Sequence, residues 1–165
     1  MTEIKNTPFT QWTGLAGRVA LGFIFAWAGF LKAVAPAEEF AYAIETYKVF
    51  PAWMVTLSAL TVPWAEIYLG LLLAAGLFTL PAAALTGAMI VFFQVLLAQA
   101  MVRGLPITSC GCFGTGKGNP IGVELALNFI LLALAVLAWL YGRDRFSLDG
   151  AIESLPSPAP RKEKP

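Results

Sequence analysis

Histidine is absent from this chain of 165 residues. That removes the side chain that ordinarily titrates between pH 5 and 8, the commonest general base and the commonest zinc ligand. Proton chemistry must therefore run through carboxylates, lysines or thiols. Charge is scarce as well: 13% of residues are ionisable as Asp, Glu, Lys or Arg, and they nearly cancel to a net +1. So even a balance provides no electrostatic footprint for nucleic acid. Hydrophobic residues make up 58% of the chain and the mean hydropathy is +0.73, too apolar for an ordinary water-facing surface. The composition points to a protein integral to a lipid bilayer and, at this length, to one domain.

Cysteine is almost missing too, yet the two that occur, Cys110 and Cys112, sit together in Cys110-Gly111-Cys112-Phe113-Gly114. At that spacing both sulfurs reach one atom, or each other. A disulfide requires Cα atoms within roughly 4.4–6.8 Å, so the tripeptide has to bend, and Gly111 bends at least cost. A strained, exposed disulfide exchanges more readily than a relaxed structural one. Three readings stand side by side: a redox pair, a thiolate site for a soft metal or other ligand, and two free cysteines buried in apolar surroundings.

Four apolar runs are long enough to cross about 30 Å of hydrocarbon, at about residues 12–34, 52–78, 81–101 and 121–141. The pattern predicts an all-α membrane protein, a bundle of four transmembrane helices within a domain of residues 1–145. Trp12 fits an interfacial anchor and Arg18 lies close enough to the boundary to snorkel. Ala26-Trp27-Ala28 mimics a signal-peptidase site, but Arg18 interrupts the apolar region such a signal needs, so an uncleaved helix is expected. Between the first two runs, Pro36, Glu38 and Glu39 followed by Phe40, Ile44 and Tyr47 at helical spacing predict a short amphipathic helix on the membrane surface, ended by Pro51. Pro63 falls inside the second run and should kink it. Leu77 to Pro81 leaves room only for a tight hairpin, and the proline-rich stretch 146–165 reads as a flexible tail.

Four spans put both termini on one side. Lys5, Arg18, Arg143, Arg145, Arg161, Lys162 and Lys164 gather there, against Lys32, Lys48, Arg103 and Lys117 opposite. The positive-inside rule then makes the termini cytoplasmic. In a bacterial inner membrane the cysteine loop, residues 103–120, would face the periplasm, where disulfides persist.

Within the spans, Glu66 is the costliest residue, at about 2.5–3.5 kcal/mol for a central carboxylate. Counting about 1.5 Å per residue, Arg18 and Glu66 lie near enough in depth for a pair. Gln94 falls near the depth of Glu66, while Gln99 and Asn128 lie nearer the cysteine side. Each of these amides has a plain alternative use as hydrogen-bonding glue between helices. Lys32, or Lys117 from within the loop, would lower a thiol pKa if either approached the cysteines.

Arg18, Gly22, Gly29-Phe30 and Lys32 in the first span, Pro63-Trp64-Ala65-Glu66 and Gly70 in the second, and Cys110-Gly111-Cys112-Phe113-Gly114 before the last make this chain resemble the MauE branch of the DoxX-like membrane proteins. The resemblance covers about residues 14–140. It implies a four-helix membrane bundle and a part in methylamine utilisation: maturing a disulfide-rich protein beside a periplasmic thioredoxin-like partner. More distant relatives are linked to thiosulfate and quinone chemistry. Two classes of function follow. In the first, a thiol–disulfide oxidoreductase, Cys110 and Cys112 cycle between dithiol and disulfide, and a quinone is the expected carrier, bound near Glu66, Gln94, Arg18 and Lys32. In the second, the same two sulfurs bind and pass on Cu(I), another soft ion or a small thiol. A docking role, with Phe40, Ile44, Tyr47 and Phe113 as contact residues, is a third reading.

Overall fold

The computed structural model describes residues 8–105, 121–142 and 147–153. All regular structure among them is helical, in the order α1 (Pro8–Val34), α2 (Ala37–Glu45), α3 (Ala52–Ala75), α4 (Thr79–Val102), α5 (Ile121–Tyr141) and α6 (Leu148–Glu153). The helices α1, α3, α4 and α5 are each long and apolar enough to cross a membrane. Their outward faces carry large apolar side chains such as Phe23, Trp27, Trp64, Tyr68, Phe92 and Phe129, the reverse of a water-soluble bundle and the natural state of one surrounded by lipid. The protein is a multi-pass membrane protein.

The closest helix pairing is α1 with α3, and glycine makes it possible. Gly22 lies against Gly70 and Ala74, and Gly29 against Pro63, Glu66 and Ile67, so the two helices run antiparallel. A Cβ on Gly29 would sit 2.6 Å from the Pro63 carbonyl oxygen and 2.9 Å from the Glu66 Cβ, closer than packed atoms tolerate. Small residues let helix backbones approach in this way where no water drives them together. The central core joins Leu21 and Phe25 of α1 to Leu73 of α3, Ala83 and Ile90 of α4, and Leu131 and Ala135 of α5.

The antiparallel register leaves the start of α3 projecting past the end of α1, and α2 fills that step. Its amphipathic pattern is as expected: Glu38, Glu39 and Tyr42 face outward, while Phe40, Ala43 and Ile44 pack on Val55 and Ala59 of α3. The apolar face is covered by protein. After α2 the chain turns through Lys48, a non-glycine residue in the left-handed region at φ 52°, and Pro51 leads into α3.

At the opposite end α3 stops at Ala75, three residues earlier than the hydrophobic run suggests. Gly76 adopts φ 71°, and the amides of Gly76 and Leu77 bond the carbonyls of Leu73 and Leu72, a Schellman closure that only a left-handed residue completes. The α4 helix then begins at Thr79, giving the tight hairpin expected. Its N-terminus is capped from far away in sequence: the Asp149 carboxylate accepts from the Phe78 and Thr79 amides at 2.9 and 2.7 Å, and the Asp149 amide donates to the Gly76 carbonyl at 3.0 Å. The stretch expected to be a loose tail from residue 146 therefore holds a docked helix over Leu148–Glu153. Residues 154–165 lie outside the described ones.

Candidate functional site

At the end of the bundle that carries α2, α1 contributes Lys32 in its last turn and α3 contributes Glu66 one turn beyond Pro63. The Lys32 ammonium donates to both carboxylate oxygens of Glu66, at 2.7 and 2.6 Å, with 1% and 6% of the two side chains exposed. Phe40 of α2 closes over the pair, its ring centroid 5.5 Å from Lys32 Nζ, an arrangement that also stabilises the cation electrostatically. Two charges withdrawn from solvent cost several kcal/mol each and regain it only through such close pairing. The Lys32–Glu66 pair thus ties α1, α2 and α3 together at one point.

A second polar group lies beside it at the junction of α2, α4 and α5. Tyr47, just past α2, is 2% exposed and packs with Leu96 and Ala100 of α4 and with Leu105. Its carbonyl accepts a long bond from Arg103 Nη1 at 3.5 Å. With the Gln99 carboxamide turned so that its oxygen faces the guanidinium, Gln99 accepts from Arg103 Nη1 and Nε. Glu124, in the first turn of α5, is buried. Burial and then the Glu124 charge push the Tyr47 phenol up to about 12, so the hydroxyl keeps its proton at any physiological pH. Asn128, also buried, donates to the Glu124 carbonyl at 2.9 Å along its own helix.

Among the residues expected to act together, the structure joins Lys32 to Glu66 and separates Arg18 from both. The expected Arg18–Glu66 pair is not formed. The register that sets Gly29 against Glu66 carries Arg18 to the far end of the bundle, where its guanidinium lies beside Gly76 and Ser147. Chain counting brings Arg18 within reach of Glu66 and sets Lys32 at the outer surface; the structure instead pairs Lys32, whose long stem reaches Glu66. Lys32 is thereby engaged in the pair. Gln94 lies one residue past Phe93, which shares a small cavity with Ala28 and Asn128. Its Nε2 is buried without a hydrogen-bond partner among the described residues. That cavity, about 30 Å³, has room for a water, against roughly 300 Å³ for a small-molecule pocket. Arg18 lies at the opposite end of the bundle from Lys32 and Glu66, and the two small cavities found among the described residues are lined by none of Arg18, Lys32, Glu66 and Gln94. Asn128 bonds its own backbone, and no link from its amide to another helix is found among the described residues.

Cys110 and Cys112, with Lys117 and Phe113, lie outside the described residues. Their segment leaves the described structure after Leu105 and rejoins it at Ile121. Both roots stand at the α2 end, where Leu105 packs against Tyr47. In the sequence Tyr47 is one more helically spaced position of α2, and nothing local signals that its phenol comes under the charge of Glu124. Asp149 was missed because a cap supplied from 70 residues away has no local signature.

Fold and polar sites together define an all-α, four-span membrane bundle with buried ionisable groups concentrated at one end. The family pattern described as Methylamine utilisation protein MauE matches residues 10–141, and the chain belongs to that family. Its curated relatives include the methylamine utilization protein MauE of Paracoccus denitrificans, 30% identical over 137 residues, which covers 82% of this chain and 72% of the relative. The methylamine utilization protein MauE of Methylorubrum extorquens is 31% identical over 105 residues, 62% of this chain and 56% of the relative. No solved structure matches the chain.

Proposed function

We propose that the protein serves methylamine utilisation as a membrane thiol–disulfide exchange protein, acting through Cys110 and Cys112 on a periplasmic thioredoxin-like partner during maturation of a disulfide-containing protein. The observation that carries this reading is the placement of the loop roots. The segment bearing the chain's only two cysteines departs from Leu105 and returns at Ile121, at the bundle end where ionisable side chains are buried. Family membership adds the methylamine context. Termini in the cytoplasm of a bacterial inner membrane put this loop in the oxidising compartment.

A thiolate of the pair attacks a disulfide of the partner, forming one S–S bond as another breaks, and the released partner thiolate takes up a proton. The second cysteine then attacks the mixed disulfide and frees the partner as a dithiol. The partner gains the two electrons and two protons that Cys110 and Cys112 lose, and the reverse sequence oxidises the partner. Returning the pair to its starting state draws on a second two-electron partner, for which a lipid-soluble quinone is the matching chemical class.

Single variants Cys110→Ser and Cys112→Ser, mixed in membranes with oxidised bacterial thioredoxin, test the exchange. At least one is expected to accumulate a reductant-sensitive mixed disulfide of summed mass. Failure of both to do so overturns the proposal. Stoichiometric Cu(I) on the wild type, lost in either variant, would then favour soft-metal binding.

A further inference from the structure

The attraction between Lys32 and Glu66 offsets the desolvation of the two charges with little left over, and well-packed apolar residues of similar volume usually do as well or better. The pair therefore calls for a use other than net stability. The pattern of α3 supplies one. Its large apolar side chains point outward (Leu57, Leu60, Trp64, Leu71) as well as inward (Val55, Leu73), because lipid and core are equally apolar. Hydrophobicity alone says little about which face of α3 meets α1, or at what level.

Small residues settle the face but leave the level open. On α1, Gly22, Ala26, Gly29 and Ala33 recur every three or four residues. Gly22 lies against Gly70 and Ala74 of α3, Ala26 against Gly70, and Gly29 against Pro63 and Ile67, the close backbone approach that small residues allow in a membrane. Sliding α1 by one turn, about 5.4 Å, puts Ala26 in the seat of Gly22, Gly29 in that of Ala26 and Ala33 in that of Gly29. Small would again meet small. The same slide carries the Lys32 ammonium and the Glu66 carboxylate, now 2.6–2.7 Å apart, past each other and opens both bonds. Both side chains are buried, so no water takes the place of those bonds. Phe40 rests on Lys32 while Ala43 and Ile44 pack on Val55 and Ala59 of α3, so the slide unseats α2 as well.

We propose that the Lys32–Glu66 pair is a register lock: among the one-turn-spaced seatings that the small-residue seam accepts, it selects one, and with it the seat of α2 at that end of the bundle. Setting the alignment of helices at little gain in stability is the best-attested use of a buried polar group. The lock is independent of thiol–disulfide exchange.

The test reads the α1–α3 alignment directly. Spin labels attached through p-acetylphenylalanine, which leaves the native cysteines alone, replace Ala16 in α1 and Trp53 at the start of α3, both exposed. These positions lie toward opposite ends of the antiparallel seam, so a slide along the axes changes their separation by nearly its full length. In lipid nanodiscs, pulsed electron paramagnetic resonance should give one narrow distance for the otherwise wild-type protein. Lys32→Met with Glu66→Leu should fold and add a second distance about 5 Å away, one helical turn. Lys32→Arg, which keeps a cation able to reach Glu66, should hold the single distance. A double variant with only the wild-type distance overturns the lock, because packing alone then sets the alignment. So does a double variant that no longer folds, since the pair would then serve stability and not choice. A second distance in Lys32→Arg overturns it too, since charge would not be what chooses.

Discussion

Removing one charge of the Lys32–Glu66 pair leaves the other buried and unpaired, whereas removing both leaves only apolar contact. Lys32→Met or Glu66→Leu alone should therefore cost about 3–5 kcal/mol, and the double variant should recover most of that. Denaturant unfolding in detergent micelles measures it; a double variant as unstable as the singles would contradict a closed ion pair. Tyr47 gives a second check at this scale. Its phenol is raised from an ordinary 10.0 to about 12 by burial, with the Glu124 charge adding to it, so the folded state holds a proton that the unfolded chain releases above pH 10. The contribution is whole below that pH and is lost as pH climbs toward 12. In a phenolate absorbance titration of the folded protein, one of the four tyrosines should ionise late, and Tyr47→Phe should abolish that late step. Glu66 was legible as an exceptional residue because a carboxylate in an apolar run stands out. Its partner was not, because chain counting brings only Arg18 within reach of Glu66, and the glycine register between α1 and α3 carries Lys32 there instead.

Helices α1 and α3 approach through Gly22, Gly29 and Gly70, so bulk at these positions must push the pair apart. Gly29→Val is expected to destabilise the bundle by about 1–3 kcal/mol or more through overpacking, and it should also separate Lys32 from Glu66. An unfolding midpoint equal to the wild type would show that the helices are not in backbone contact there. At the other end, Asp149 caps α4 from the docked α6. Asp149→Ala should cost about 0.5–2 kcal/mol and speed proteolysis in the region of α6. Protection equal to the wild type would mean that α6 is held by something else. The spans were readable almost to the residue, since apolar length alone sets them. Their ends were less so: Ala75 rather than Phe78 closes α3 because Gly76 takes the left-handed turn, and α4 starts early because a distant carboxylate satisfies its first amides. The amphipathic pattern of α2 was plain in the sequence, but not the neighbour its apolar side would meet, since a pattern names a face and not what covers it.

As a whole the molecule places its charge asymmetrically. One end is closed by the Asp149 cap, with Arg18 buried beside Gly76; the other collects Lys32, Glu66, Tyr47, Glu124 and Arg103, and from there the cysteine segment departs and returns. With histidine absent, the exchange proposed above rests on two thiols in one segment, on a scaffold otherwise built to sit in lipid. Class, spans and motif could be read directly from composition and spacing; the convergence of separate elements on the loop roots could not, because it is a property of helix register. The most direct test counts alkylated thiols on Cys110 and Cys112 by mass, in membranes, before and after one equivalent of a small dithiol is added to the oxidised protein. No alkyl groups before and two after, with the dithiol converted to its cyclic disulfide in equal amount, is the predicted result. Two groups at the outset under every oxidising condition, or none even after reduction, would contradict a switching pair.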